Sequence, residues 1–254
     1  MRPPALFFIL LAGLLPLLAP GETLADRDSY IHRWASVEVI DRTSGYALSV
    51  YVHRGRLYVA GEPGHEYELR IGNRSNERLL AVTSVDGVNV ITGQTADERQ
   101  SGYVLDPWDG VDVTGWRKDL GEVATFYFTR LSNSYAARTG RPENVGVIGV
   151  ALFRERQPCC RNQPAAPEAA QSADESASRR ERGKLGTGHG ERETSLAHYV
   201  DFERAATVPV ETIAIYYDSK KNLLARGVIP KPDRPDRYAD RPNPFPEGRF
   251  VPDP

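Results

Sequence analysis

From residue 36 onward, apolar and polar residues alternate in short runs that are separated by turn-forming residues. Residues 67–71 alternate cleanly, and residues 46–52 follow the same period of two. This period is typical of strands with one face in a core and the other in water. Asp86-Gly87 lies between two further β-rich runs and predicts a tight hairpin, because a type I′ turn needs positive φ at both central residues.

Residues 145–153 are apolar throughout, which predicts a central strand covered on both faces. No long segment shows a helical period. We therefore predict an all-β fold, an antiparallel β-sandwich that is either jelly-roll-like or immunoglobulin-like. Further strands are expected at residues 79–85, 88–91, 103–105, 111–116, 123–129, 212–217 and 223–228.

Two segments differ in composition from the rest. Residues 157–193 are rich in Ala, Glu, Ser, Arg, Gly and Pro and hold few large apolar residues. Such a segment buries too little surface to offset the entropy of ordering, so it predicts a mobile, disordered insertion within a domain at 26–229. Residues 230–254 hold eight prolines and predict an extended, polyproline-like C-terminal tail.

The first residues have the pattern of an export signal. Arg2 precedes an apolar run at residues 5–18, and residues 23–25 form a cleavage site. We expect a signal peptide at 1–25 and a periplasmic or secreted protein that begins at Asp26. The run is shorter than the ~20 residues of a spanning helix, and no second run of that length follows, so no transmembrane segment is expected in the mature chain.

Composition and charge fit an ordinary globular protein. The 254 residues carry a formal net charge of -2, with 40% hydrophobic and 26% charged residues. The lack of a basic balance gives no indication of nucleic acid as a partner.

Five short motifs are the basis of a resemblance to a protein family. They are residues 84–94 (SVDGVNVITGQ), 102–105 (GYVL), 115–118 (GWRK), 134–142 (SYAARTGRP) and 144–150 (NVGVIGV). Together they resemble a family of exported proteobacterial proteins of unknown function. The resemblance covers about residues 46–153. It implies bacterial origin and export, and it transfers no functional residue.

No catalytic or cofactor motif stands out. The chain has no Gly-x-Ser-x-Gly, and its five histidines are scattered. The leading hypothesis is a non-enzymatic binding or envelope-assembly module whose partner is an envelope protein or a glycan. The alternative is an envelope hydrolase acting on glycan or peptide, with a site assembled from distant loops. A cluster of Asp, Glu or His in a deep cleft would favour the enzyme.

Two polar segments are candidate metal sites. Asp106, Asp109 and Asp112 could hold Ca²⁺, although aspartates in such a turn more often bond their own backbone. His189 and Glu191 could contribute to a zinc site, although a mobile loop holds tetrahedral geometry poorly. No other cofactor is expected.

Three residues are candidate ligand contacts. Trp108 lies in a turn and could stack on a sugar, whereas a tryptophan between strands would be core. Arg138 and Arg141 could clamp an anion, or pair with neighbouring carboxylates.

The only cysteines, Cys159 and Cys160, are adjacent, which leaves three choices open: a strained disulfide ring, pairing with another chain, or metal binding.

Overall fold

The computed structural model describes residues 32–157 and 183–230, which build two β-sheets and confirm the predicted all-β sandwich. The predicted signal peptide, both cysteines and the tail beyond Pro230 lie outside the described residues. The strands are β1 (Ala35–Asp41), β2 (Tyr46–Ala47), β3 (Val50–His53), β4 (Arg56–Gly61), β5 (Glu66–Asn73), β6 (Leu79–Val85), β7 (Val88–Asn89), β8 (Tyr103–Leu105), β9 (Gly110–Val113), β10 (Gly115–Arg117), β11 (Glu122–Arg130), β12 (Val147–Arg154), β13 (Leu185–Thr194) and β14 (Glu211–Ser219). The helices are α1 (Tyr135–Arg138) and α2 (Lys220–Ala225), with 3₁₀ turns at Leu131–Asn133 and Pro142–Asn144.

The first sheet has the order β10-β11-β5-β1-β2, with β13 also on β11 and β9 also on β5. The second sheet has the order β3-β4-β14-β12-β6-β7, with β8 also on β6. The apolar run at 145–153 gives β12, which lies between β14 and β6 as predicted. One pair departs from the expected antiparallel arrangement, because β14 runs parallel to β4.

Aromatic rings fill the core between the sheets. The ring of Tyr67 stacks on those of Phe126 and Phe128, with centroids 5.4 and 4.3 Å away. Phe128 in turn lies 5.5 Å from the ring of Tyr217 on the opposite sheet. Burial of each such ring contributes about 1.5–3 kcal/mol, so this stack is a main source of attraction between the sheets.

The predicted mobile insertion at 157–193 is wrong over its C-terminal part. Residues 185–194 form β13, which pairs with β11 along most of its length. The glycines that indicated mobility instead permit close approach. A Cβ on Gly188 would lie 2.2 Å from the Tyr127 ring, and one on Gly190 would lie 2.2 Å from the hydroxyl of Thr125.

Two other predicted strands also differ. Residues 220–225 form α2, so the strand expected at 223–228 is wrong. Ser219 begins the helix by accepting a hydrogen bond from the Asn222 N–H, and Leu223 buries its side chain beside Tyr58. Residues 46–52 do not form one strand, because β2 and β3 pair with different sheets.

A buried carboxylate connects the two sheets. The Asp86-Gly87 hairpin is confirmed, with φ of 54° and 71°, and the Asp86 side chain turns inward, where the residue is 1% exposed. One carboxylate oxygen accepts hydrogen bonds from the Gly146 N–H at 2.8 Å and the Tyr217 hydroxyl at 2.5 Å. The other accepts the N–H of Thr187, on β13 of the first sheet, at 2.8 Å. Asp86 therefore joins elements of both sheets.

A chain of hydroxyls extends this contact. The Thr187 hydroxyl lies 2.6 Å from that of Tyr217 and 2.6 Å from that of Tyr67. When Asp86 is ionised, Tyr67 donates to Thr187, Thr187 to Tyr217, and Tyr217 to the carboxylate. Each of these three buried hydroxyls then has a partner, which avoids the penalty of an unsatisfied polar group.

Burial raises the pKa of Asp86 to about 6, since a carboxylate loses its hydration between the sheets. The hydrogen bonds from Tyr217, Gly146 and Thr187, and the charge of Lys184, limit this rise. Burial also raises the pKa of Tyr217 well above its usual value, and the charge of Asp86 adds to the effect.

We predict that Asp86 makes the protein less stable as pH rises from about 4 to about 6. The native carboxyl holds its proton more tightly than the unfolded chain does, so the native state loses up to ~3 kcal/mol across this window. Urea unfolding of the natural protein and of Asp86→Asn, which does not titrate, isolates the effect. The free energy of unfolding of the natural protein should fall relative to the variant with rising pH. If the free energy of unfolding of the natural protein instead stayed constant or rose relative to that of Asp86→Asn, the raised pKa of Asp86 would be contradicted.

Candidate functional site

The first sheet divides into two arms along part of its length. β5 and β11 pair with each other only at residues 66–67 and 126–127. Beyond that point β9 pairs with β5 and β10 pairs with β11, and the chain reverses between them at Thr114, whose carbonyl accepts the Phe126 N–H at 3.1 Å. Gly115 permits this approach, since a Cβ there would lie 2.1 Å from the Ala124 carbonyl oxygen. We call β9 and β10, with the turns that flank them, the fork.

A surface groove of about 1030 Å³ lies along the fork. Both arms line it, together with β8 of the second sheet and an extended stretch at residues 195–204, here called the wall segment. Its lining mixes aromatic, aliphatic and charged side chains. The groove thus lies where edge elements of both sheets come together.

Backbone hydrogen bonds fix the wall segment in place. The N–H groups of Ser195 and Ala197 donate to the carbonyls of Gly121 and Leu120, at 2.7 and 2.8 Å. At the other end, the Arg204 guanidinium donates to two backbone carbonyls and covers the Phe153 ring at 4.1 Å. The wall is therefore ordered although it forms no strand.

Apolar side chains on this wall remain in water. Leu196 is 86% exposed and Tyr199 is 89% exposed, on a segment whose backbone is held on both sides. Leu120, across the hydrogen bonds from Ala197, is 44% exposed. Grouped apolar side chains on an ordered segment are typical of a contact surface for another molecule.

Trp108 lies in the turn between Asp106 and Asp109, two residues that line the groove, and it is 71% exposed. Its φ is +61°, a left-handed conformation that is unusual for a bulky residue. The turn is held by its neighbours, since the Trp108 N–H donates to the Ser75 carbonyl at 3.2 Å and the Asn73 amide donates to the Asp106 carbonyl at 2.9 Å. A strained backbone that presents an exposed ring indicates a functional contact.

The three candidate calcium ligands all line the groove, but each of them interacts with a different partner. Asp106 pairs with Arg78 at 3.1 Å, and Asp112 accepts two hydrogen bonds from Arg70 at 2.8 and 3.1 Å. Asp109 accepts the N–H of the next residue, as expected for an aspartate that bonds its own backbone. Across residues 32–157 and 183–230, no group of three His, Cys, Asp or Glu could hold a metal ion, so the geometry does not support the calcium site.

The proposed zinc ligands likewise lie in cationic surroundings. His189 is on β13, with its ring 5.6 Å from that of Tyr135, while Glu191 is exposed. Burial lowers the pKa of His189, and the charges of Lys118, Arg138 and Arg192 lower it further. A neighbourhood of three basic side chains repels a metal cation, which argues against the zinc hypothesis.

The two candidate arginines separate in role. Both terminal nitrogens of Arg141 donate to the Gly93 carbonyl at 3.1 Å, so Arg141 holds the chain, and it forms no ion pair with a carboxylate of the described residues. Arg138, at the end of α1, is exposed and makes no side-chain hydrogen bond or ion pair with any described residue. Arg138 is therefore the stronger of the two candidates for binding an anion.

Sequence reasoning missed Arg117 and the wall segment. Arg117 donates to the Ser195 hydroxyl at 3.0 Å and to the Tyr103 hydroxyl at 3.3 Å, so it links β10, the wall and β8 across the groove. The motif at 115–118 marks this stretch, but no local pattern shows that residues 195–204 lie beside it.

One histidine–carboxylate pair and the carboxyl with a raised pKa lie away from the groove. The Asp41 carboxylate lies 2.9 Å from Nδ1 of His65, which raises the pKa of the histidine, and neither residue lines the groove. Nε2 of His65 lies 3.8 Å from Glu62, not beside a serine or threonine hydroxyl. Asp86, with its raised pKa, is enclosed between the sheets.

No protein-family model matches the chain, and neither a curated protein nor a solved structure does. Neither helix within residues 32–157 and 183–230 has the length and apolar character needed to span a membrane. Function is therefore inferred from the groove and its side chains.

We predict that Trp108→Gly unfolds less readily than Trp108→Ala, by about 1 kcal/mol. Both changes remove the exposed ring, but only glycine adopts the left-handed conformation without strain from a Cβ. Urea unfolding of the two variants at one pH gives the comparison. An alanine variant as stable as the glycine variant would show that the turn stores no strain at this position.

Proposed function

We propose that this protein is an exported, non-enzymatic binding module that holds an extended glycan of the bacterial envelope in the groove along the fork. The observation that carries the proposal is Trp108, an exposed ring held in a strained turn between two lining residues. Sugar-binding surfaces use such rings because the apolar face of a pyranose stacks on them.

The other side chains of the groove suit the same ligand. Tyr103 lines it from β8 and Tyr199 from the wall segment, so aromatic rings come from several elements. Arginine and aspartate side chains that line it supply hydrogen-bond donors and acceptors for hydroxyl groups. A few polar groups beside apolar surface are the usual composition of a ligand groove.

Binding is favoured over hydrolysis by the state of the carboxylates. Glycoside hydrolysis needs two carboxyl groups free to act as acid and as base or nucleophile. Asp106 and Asp112 are held in ion pairs with Arg78 and Arg70. The carboxyl with a raised pKa, Asp86, does not line the groove.

Export is part of the proposal and rests on the N-terminal pattern. We predict that protein recovered from bacterial cells begins at or near Asp26, because a signal peptidase would cleave after residues 23–25. Intact-mass measurement of the purified protein decides this. Recovery with Met1 or the apolar run still present would refute cleavage and remove the argument for an envelope ligand.

We predict that the mature protein binds at least one soluble envelope glycan, and that Trp108→Ala or Tyr199→Ala lowers the affinity about tenfold, since a stacked ring contributes ~0.5–1.5 kcal/mol beyond its buried area. Titration calorimetry with peptidoglycan strands and outer-membrane oligosaccharides measures this. Tyr46→Ala is the matched control, because Tyr46 is 76% exposed and lies outside the groove.

Equal affinity in all three variants would place any glycan contact away from the groove. Failure of every glycan to bind would overturn the proposed ligand class.

A further inference from the structure

We infer that the end of the groove formed by Lys118 continues into a subsite for a negatively charged oxygen group, either a phosphate or a carboxylate. The inference deepens the proposed function, because it specifies that the glycan carries such a group. It rests on four side chains, Lys118, Arg138, His189 and Arg192, called here the basic cluster.

Ring contacts bring the cluster together. The Tyr135 ring of α1 lies 4.8 Å from that of Trp116 on β10 and 5.6 Å from that of His189 on β13. Lys118 follows Trp116 by two residues, and Arg138 follows Tyr135 by three, which places it on the same side of the helical turn. Basic residues from three elements therefore lie near one imidazole, since the charges of Lys118, Arg138 and Arg192 all act on His189.

Two of these cations have no partner among the residues that the structure describes. Lys118 and Arg138 are exposed and form no side-chain hydrogen bond or ion pair with the described residues, whereas Arg192 pairs with Glu122 at 2.9 Å. Burial lowers the pKa of His189, and the nearby charges of Lys118, Arg138 and Arg192 lower it further.

The acidic side chains near the cluster form an ion pair with neither Lys118 nor Arg138 among the described residues. Asp119 accepts the backbone N–H groups of Gly121 and Glu122, at 2.7 and 2.9 Å. Glu122 is held by Arg192, and Glu191 is exposed on β13 without a basic partner among the described residues. Lys118 and Arg138 are therefore the charges left for a ligand.

The position of Lys118 connects the cluster to the groove. Lys118 and Arg117 line the groove at the end of the β10 arm, while Asp106, Asp109 and Asp112 line it along the β9 arm. A chain that follows the groove would thus present its charged group to the basic cluster at the β10 arm. Charge complementarity of this kind fixes the register of a ligand more than its affinity.

The His189 imidazole reports on the subsite in the full-length mature protein. NMR titration of its ring follows the pKa with and without inorganic phosphate, at ionic strength matched with sodium chloride. A bound oxyanion stabilises the imidazolium, so phosphate should raise the pKa of His189. His53, on β3 of the other sheet, is the control and should not respond.

Lys118→Gln and Arg138→Gln test the geometry. Each should raise the pKa of His189 without any ligand, because a nearby cation is removed, and each should weaken phosphate binding about tenfold or more, as expected for the loss of a charged hydrogen bond. Arg130→Gln, an exposed arginine at the end of β11, is a matched control.

Two oligosaccharides test whether the anion belongs to the glycan. Oligogalacturonate carries carboxylates, whereas a neutral oligosaccharide carries no charge. Binding of phosphate and of the uronate oligomer, both weakened in the two variants, supports the subsite. Equal shifts of His189 and His53 with phosphate, or no shift, would overturn it. A uronate oligomer bound equally by the natural protein and both variants would also overturn the subsite while leaving the proposed function intact.

Discussion

The buried carboxylate of Asp86 is the contact on which the packing of the two sheets depends. It receives hydrogen bonds from a backbone N–H on each sheet and from the Tyr217 hydroxyl, and so fixes β13 against the turn between β6 and β7. Removing one partner of a buried charge leaves the other unsatisfied, which costs more than an average hydrogen bond contributes. The same carboxylate also orients the hydroxyls of Thr187 and Tyr67, so one side chain specifies how the sheets align.

Away from the Asp86 contact, the first sheet divides. At the fork, β5 and β11 no longer pair with each other. Instead, β5 pairs with β9 and β11 pairs with β10. The backbone groups of both strands therefore stay satisfied while the arms separate. A groove can form along such a division without an unpaired strand at its base, which explains why it lies at the fork and not over the continuous part of the sheet.

The period-two pattern, the apolar run at 145–153 and the Asp86-Gly87 turn were enough to predict the fold class, the central strand and one hairpin. Those signals are local, as each depends on neighbours within a few residues. The pattern could not distinguish close packing from mobility at Gly188 and Gly190, because both features select glycine. It also mistook α2 for a strand, since the helix is a short stretch with one buried leucine.

The candidate site was predicted only in part. Trp108 and the aspartates around it were found because turn residues and an exposed ring are visible in the sequence. The inward orientation of Asp86 was not, since the same Asp-Gly pair also forms turns on a protein surface. Arg138 and Lys118 are 20 residues apart in the chain, so only the packing of Tyr135 against Trp116 shows that they share a surface.

The strained turn and the exposed cations lie apart from the buried polar groups that specify the fold. The buried polar groups that specify the fold are satisfied by one another between the sheets. The left-handed turn at Trp108 and the cations of Lys118 and Arg138, which pair with no described residue, lie instead at the surface. Groups that cost stability without contributing to the core persist where another molecule uses them. Trp108 lies between two lining residues beside β9, and Lys118 lines the groove beyond β10, so the two proposed contacts belong to opposite arms of one fork.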